Sequence, residues 1–184
     1  MPDHAPKIGC PAPHRERGRE RGMDGARALG HSRAMPTPRP IPRLAVRGLL
    51  LIENRLLLVN AWGGGKSDLL CAPGGGVEPH SSLPENLMRE FHEETGLTVA
   101  VGAPCLVNEF HAPEHGFHQV DIYFRVTLIA GDPTAPWTDP EGIVTERHLI
   151  AREDMHRYRW KPDSLPDVAW SDMLHYDPLE PLVR

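Results

Sequence analysis

No stretch of this sequence approaches the roughly 18 consecutive apolar residues that a membrane helix needs. The longest apolar run, Gly48–Ile52, is only strand-length. The N-terminus lacks the apolar segment of a secretory signal. Cysteine is scarce: Cys10, Cys71 and Cys105 are odd in number, widely spaced and form no CxxC pair. That argues against a disulfide scaffold or a zinc ribbon and points to the reducing cytoplasm. An excess of positive charge is missing too. The formal net charge is −5, which disfavours a dedicated nucleic-acid binder. What is present is ordinary. With 184 residues, 40% of them hydrophobic and 24% charged, the chain has length for one globular domain and some to spare.

The charge is unevenly distributed. Residues 1–40 carry eight Lys/Arg against four Asp/Glu, together with seven prolines and few large apolar side chains. Such a segment cannot bury enough surface to offset its ordering entropy, so it reads as a disordered basic tail. Its RERGRER run, Arg15–Arg21, reads as a solvated charge run that could touch RNA or an acidic partner. Met35 is a second candidate start of translation.

From Ile41 the pattern changes. RLAVRGLLLI (Arg43–Ile52) reads as a buried strand, and RLLLV (Arg55–Val59) as its hairpin partner across Glu53-Asn54. Leu69–Ala72 reads as a third strand, entering a Pro73-Gly74-Gly75-Gly76 loop. A helix is expected next. Ser82 with Glu85 forms a capping box, and Leu83, Leu87 and Phe91 supply an apolar stripe. Gly96 supplies the C-terminal stop. Further strands are expected at Thr98–Val101, Leu106–His111, Val120–Ile129 and Glu146–Ile150, with a short helix over Ala151–Arg157. Residues 41–160 thus form the domain. Residues 161–184, with four prolines, form an irregular extension packing on it or trailing from it. Strands, an acidic helix, more strands and a helix imply an α/β fold with a mixed sheet.

The chemistry is concentrated in PGGGVEPHSSLPENLMREFHEETGL, residues 73–97. Glu90, Glu93 and Glu94 stand at i, i+3 and i+4, so all three share one arc of the helix. Clustered carboxylates repel one another and call for a counter-charge. A hard divalent cation such as Mg²⁺, with Mn²⁺ as a substitute, takes oxygen ligands and keeps positions for substrate. The glycine loop lets backbone approach the same place. Taken bare, an ExxEE helix also fits a solvated acidic face.

These residues resemble the signature of the Nudix pyrophosphohydrolases: G, five residues, E, seven residues, REUxEExGU, with U a bulky apolar residue. Gly75 and Arg89-Glu90-Phe91-His92-Glu93-Glu94-Thr95-Gly96-Leu97 match it. One position departs, because Ser81 stands where the first glutamate belongs, next to His80. The resemblance implies an α/β/α sandwich carrying the box as a catalytic loop-helix. It implies Mg²⁺-dependent hydrolysis of a nucleoside diphosphate linked to another moiety, ADP-ribose-like compounds being favoured. Gly75, Glu90, Glu93 and Glu94 would hold metal, and Arg89, Glu93 and Glu94 would carry catalysis. Without the signature glutamate, Arg89 is expected to pair with Glu93 or Glu85. A further family glutamate before the last strand matches Glu141, in the turn DPEG, ahead of Glu109 and Glu114. The expected partner is a nucleotide-type small molecule, with a homodimer among the family's arrangements. Two alternatives stay open: a (d)NTP pyrophosphatase, and a non-catalytic Nudix-fold sensor or interaction module, the latter motivated by Ser81 and the basic tail.

Smaller features complete the reading. Pro113 lies sixteen residues after Leu97, as in ADP-ribose-type members. His111, His115 and His118 form HxxxHxxH, read as loop or substrate-contacting histidines ahead of a zinc site. Arg157-Tyr158-Arg159-Trp160-Lys161 alternates cations with aromatics, a pattern of an exposed rim that can also stack a base. Cys71 reads as an inert core thiol.

Overall fold

The structure is a computed structural model and describes residues 41–183. The basic tail, its RERGRER run and Met35 lie outside the described residues.

Strand β1 (Arg43–Ile52) turns through Glu53-Asn54 into β2 (Arg55–Asn60), pairing Ile52 with Arg55. Both turn residues have positive φ, 49° and 59°, the geometry that suits a two-residue hairpin. Then come β3 (Leu69–Cys71), β4 (Gly74–Gly76) and helix α1 (Leu83–Thr95). Two long strands follow, β5 (Thr98–Ala112) and β6 (Phe117–Ala130), and then β7 (Arg147–Ala151). The remaining elements are short: β8 (Arg159–Trp160), α2 (Leu165–Ala169), β9 (His175–Tyr176) and β10 (Glu180–Pro181).

The strands run in the order β10-β5-β6-β1-β2-β3-β8, with β4 on β1, β7 on β2 and β9 on β5. The β1–β6 pair is parallel, from Arg43↔Gln119 to Leu50↔Val126. The β5–β6 pair is antiparallel, so the sheet is mixed. Residues of β1 alternate between two cores. Val46 and Leu50 meet Leu87 and Phe91 of α1 on one face. Leu49 meets Met155, Leu165 and Val168 on the other. This is the expected α/β/α layering. Leu87 and Phe91 are completely buried, each contributing about 1.5–3 kcal/mol of apolar transfer energy. Gly48 makes the contact possible, since a Cβ there would lie 2.8 Å from the Phe91 ring.

Several boundaries differ from the sequence reading. Thr98–Val101 and Leu106–His111 are two parts of one strand, β5, whose register shifts between Val101, Pro104 and Leu106. Pro104 has no N–H to give the ladder, so the pairing is irregular there. The glycine loop is itself a strand, with Gly74–Gly76 paired to Arg47–Ala45. The last expected strand begins one residue late, because the Glu146 N–H is taken by Asn60 Oδ1. The Ala151–Arg157 helix is a 3₁₀ turn, Arg152–Arg157. Residues 161–183 pack on the domain: β9 and β10 both pair with β5.

Candidate active site

The loop-helix is held by local chemistry. Ser82 caps α1, accepting from the Glu85 N–H, while the Glu85 carboxylate accepts from the Ser82 N–H. Gly96 ends the helix in the left-handed conformation, φ 73°. Trp137 lies over Gly96 and donates its indole N–H to the Glu93 carbonyl at 3.0 Å. Arg147 donates to the Thr95 carbonyl at 2.6 Å. The acidic segment is thus clamped at both ends.

Glu90 and Glu94 are 2% exposed, whereas the Glu93 side chain is 32% exposed. Glu94 accepts the Gly74 N–H at 2.8 Å. Glu90 lies against Gly75, where a Cβ would fall 2.0 Å from its Oε2. Arg89 lies among the carboxylates, 2.7 Å from Glu90, 3.3 Å from Glu93 and 3.6 Å from Glu78. Its charge is held above the usual pKa: burial opposes it, but Glu90, Glu93 and Glu78 outweigh that cost. The expected pairing with Glu93 is present. Glu85 is not used, because its carboxylate belongs to the cap, and Glu78 takes that place.

The departure at residues 80–81 is resolved locally. Ser81 is exposed, and its carbonyl accepts from Asn86 Nδ2 at 3.3 Å. Asn86 is buried and also bonds Glu78 at its N–H and its carbonyl. The Glu78-Asn86-Arg89 set therefore steadies the loop beside Ser81. His80 has φ 73°, a conformation that favours glycine.

On the other face of β1, a second polar chain runs into a cavity. Arg43 donates to Gln119 at 2.8 Å, and Gln119 donates to Asp121 at 2.8 Å. Asp121 accepts from Arg47 at 3.1 Å, and Arg47 donates to the Gly74 carbonyl at 2.8 Å. Arg47, Gln119 and Asp121 are buried. The chain ends where the loop-helix begins, so it ties the two regions together. The cavity is small, with about 60 Å³ open to the centres of water-sized molecules, and it is partly open to solvent. Its walls are mostly apolar and aromatic, with Trp62, Phe110, Phe117 and Tyr123 among them, and Arg43 and Lys161 at its polar points. A Cβ on Gly76 would fall 2.7 Å from Arg43 Nη2, so the cavity and the glycine strand share a border. Burial and repulsion from Arg47 hold the Arg43 guanidinium below its usual pKa, yet it stays cationic at neutral pH.

The remaining candidates scatter. Glu141 is exposed, in a turn whose N–H groups at 141, 143 and 144 are all accepted by Asp139. Glu109, on β5, accepts from the Tyr176 hydroxyl at 2.8 Å and lies 3.2 Å from His118. Those hydrogen bonds lower its pKa. His111 and His118 are cross-strand neighbours, while His115 sits in a 3₁₀ turn that starts at Pro113. Among the described residues, no three His, Cys, Asp or Glu side chains converge on a metal position. Of Arg157–Lys161, only Lys161 lines the aromatic cavity. Trp160 packs inward, and Arg159 pairs with Asp68.

The oxygen donors of α1 fit a hard cation in kind. They are carboxylates placed on a strand of glycines, one of them pressed where a side chain would otherwise stand.

The family profile described as NUDIX domain matches residues 41–170. The chain belongs to the Nudix family. An ADP-ribose pyrophosphatase of Methanocaldococcus jannaschii is 30% identical over 93 residues, which is 50% of this chain and 54% of that protein. The chain thus matches about half the length of this curated relative. Among solved structures, a UDP-X diphosphatase superposes with TM-score 0.59 at 19% identity, over 81% of this chain and 71% of that one. An ADP-ribose pyrophosphatase of Streptococcus suis gives 0.55 at 17% identity, over 74% and 100%. These likenesses show the Nudix fold.

Sequence reading missed the cavity face: Arg43, Arg47, Gln119, Asp121 and the aromatics around them. A signal was present. Arg43 and Arg47 share one face of β1, and Gln119, Asp121 and Tyr123 one face of β6. Polar residues on the inward face of a strand call for a reason.

Proposed function

We propose that this protein hydrolyses the pyrophosphate bond of a nucleoside diphosphate linked to another moiety, with ADP-ribose-like compounds as its substrate class. One observation carries the reading: the Glu90 and Glu94 carboxylates rest on Gly74-Gly75, and Gly76, next on the same strand, lies against Arg43 in the wall of an aromatic cavity. The cavity suits a planar base. The bordering cation suits a diphosphate. The relative named ADP-ribose pyrophosphatase supports the choice of substrate class.

In this reading, Glu90, Glu94 and the Gly75 carbonyl would hold a Mg²⁺ ion, with Glu93 completing the set. Such an ion supplies charge neutralisation on the diphosphate and a lowered pKa for water. Glu93, the most exposed of the three, orients the attacking water. Arg89 keeps Glu90 and Glu93 in place. Glu141 is the candidate base. Water adds to one phosphorus, the bridging P–O bond breaks, and ADP-ribose yields AMP and ribose 5-phosphate. The two described cysteines are free and buried, in keeping with a reducing cytoplasm. No helix among the described residues is long and apolar enough to cross a membrane.

The test is product analysis of the full chain with Mg²⁺ or Mn²⁺ on ADP-ribose, sugar nucleotides, dinucleotides and (d)NTPs, beside Glu94→Gln. Cleavage of ADP-ribose to AMP, lost in Glu94→Gln, is the expected result. Pyrophosphate from (d)NTPs alone would replace the substrate class. No turnover on any compound would overturn the hydrolase reading.

A further inference from the structure

The two ends of the sheet meet. Strand β10 closes one end and β8 the other in the strand order, yet Lys161, directly after β8, binds Glu180 of β10 at 2.5 Å. Glu180 also accepts from Asn108 of β5 at 3.1 Å, and its side chain is only 12% exposed. Burial opposes the charge on Lys161, but Glu180 and Asp163 outweigh it and hold the ammonium above its usual pKa. The chain after Glu180 is pinned again where the Leu182 N–H donates to the His111 carbonyl at 2.8 Å. From there Leu182 and Val183 turn inward. They line the aromatic cavity and pack against the cluster of Val59, Trp62 and Leu69 from the opposite end of the sheet.

These two aliphatic side chains lie beyond the stretch that carries the family profile, which ends at 170. They do not complete the loop-helix, and the fold's two main cores are built without them. Their contribution is a wall of the cavity. Resting on the reading of that cavity as a base site, we propose that Leu182 and Val183 are specificity-determining residues, which form one apolar side of the pocket for the nucleoside base. The Lys161–Glu180 pair is the positioning contact that brings them there. Hydrolysis itself stays with the loop-helix.

Binding tests this independently of turnover. AMP and ADP-ribose are titrated against the full chain without metal, following tryptophan fluorescence, which Trp62 in the cavity wall makes responsive. Replacing both aliphatics in Leu182→Ala/Val183→Ala removes apolar contact with the base and should weaken AMP about tenfold. Ribose 5-phosphate, which has no base, should bind the variant and the wild type alike. Leu182→Trp keeps an apolar side chain but adds bulk, so it guards against a simple loss of folding. It should favour a pyrimidine over a purine nucleotide relative to wild type. In turnover, the double variant should raise KM for ADP-ribose with kcat within about twofold, the pattern of lost uniform binding.

Unchanged or tighter AMP binding in the double variant, with unchanged base preference in Leu182→Trp, would overturn the proposal. Tighter binding would show the segment blocks the pocket. Cleavage with no dependence on residues 182 and 183 would sink this inference and leave the hydrolase reading standing. Nucleotide binding that depends on them, without any cleavage, would do the reverse. A wild type that neither binds nor cleaves a nucleotide would overturn both.

Discussion

The α-carbon of Gly75 faces the carboxylate of Glu90 so closely that a methyl group built there would lie 2.0 Å from Oε2. No side chain fits that gap unless the carboxylate moves. Gly75→Ala should therefore displace Glu90 and leave the two cores alone. The expected outcome is a fall in kcat of at least about 100-fold, as for other single groups that stabilise transition-state charge. Thermal unfolding should shift by only a few degrees. If the variant keeps more than a tenth of wild-type turnover, Glu90 does not work from this position.

Arg47 and Asp121 form the buried centre of the polar chain beneath the cavity, 3.1 Å apart and almost inaccessible. Arg47 also holds the Ala72 and Gly74 carbonyls, so it fastens β1 to the strand that carries the glycines. Removing one partner leaves the other charge buried and uncompensated. Asp121→Ala should cost about 3–5 kcal/mol in urea unfolding. An Arg47→Met/Asp121→Leu double variant should recover much of that stability. A cost below about 1 kcal/mol for Asp121→Ala would show that solvent reaches Arg47 there.

The helix, its capping box and its glycine stop were legible because they depend on neighbours in sequence. Ser82, Glu85 and Gly96 do in the structure what their spacing implies. The family signature located Gly75 and the three glutamates for the same reason. The cavity was not legible. It is made by Arg43, Gln119, Tyr123 and Leu182, which come together through the parallel β1–β6 pair and the return of β10 onto β5. Local periodicity says which side of a strand a residue takes, but not which distant strand will lie beside it. The expectation of two separate strands where β5 runs unbroken failed on the same ground. Pro104 looks like a break in sequence, and only the long partner β6 carries the ladder past it.

Cys71 lies next to the site, 3.9 Å from Arg47, and invites a reactive reading. Its environment says otherwise. Burial pushes the thiol up to about 12, although Arg47 pulls in the opposite direction. Burial likewise raises Cys105 to about 11. At neutral pH neither group holds an appreciable fraction of thiolate, the reactive form. Iodoacetamide at about pH 8 should leave both unlabelled in the folded protein and label both in urea, as read by peptide mass spectrometry. Rapid labelling of Cys71 in the native state would contradict this burial.

Glu85 offers a pH test of the loop-helix. Hydrogen bonds from the Ser82 N–H and hydroxyl lower its pKa below the ordinary 4.5. A depressed folded-state pKa means that ionised Glu85 favours the folded form. Its contribution is complete above the unfolded value and is lost as pH falls through the folded one. Wild-type melting temperature should therefore drop, as pH falls below about 5, more steeply than that of Glu85→Gln. Glutamine can still accept from the Ser82 N–H, so the two proteins should converge once the carboxylate is protonated in the folded state, while near neutrality the wild type melts higher. Parallel curves across this range would mean that the carboxylate is not engaged by the cap. Turnover should follow the same order, because the cap sets where α1 begins, and Glu90 lies about two turns beyond it.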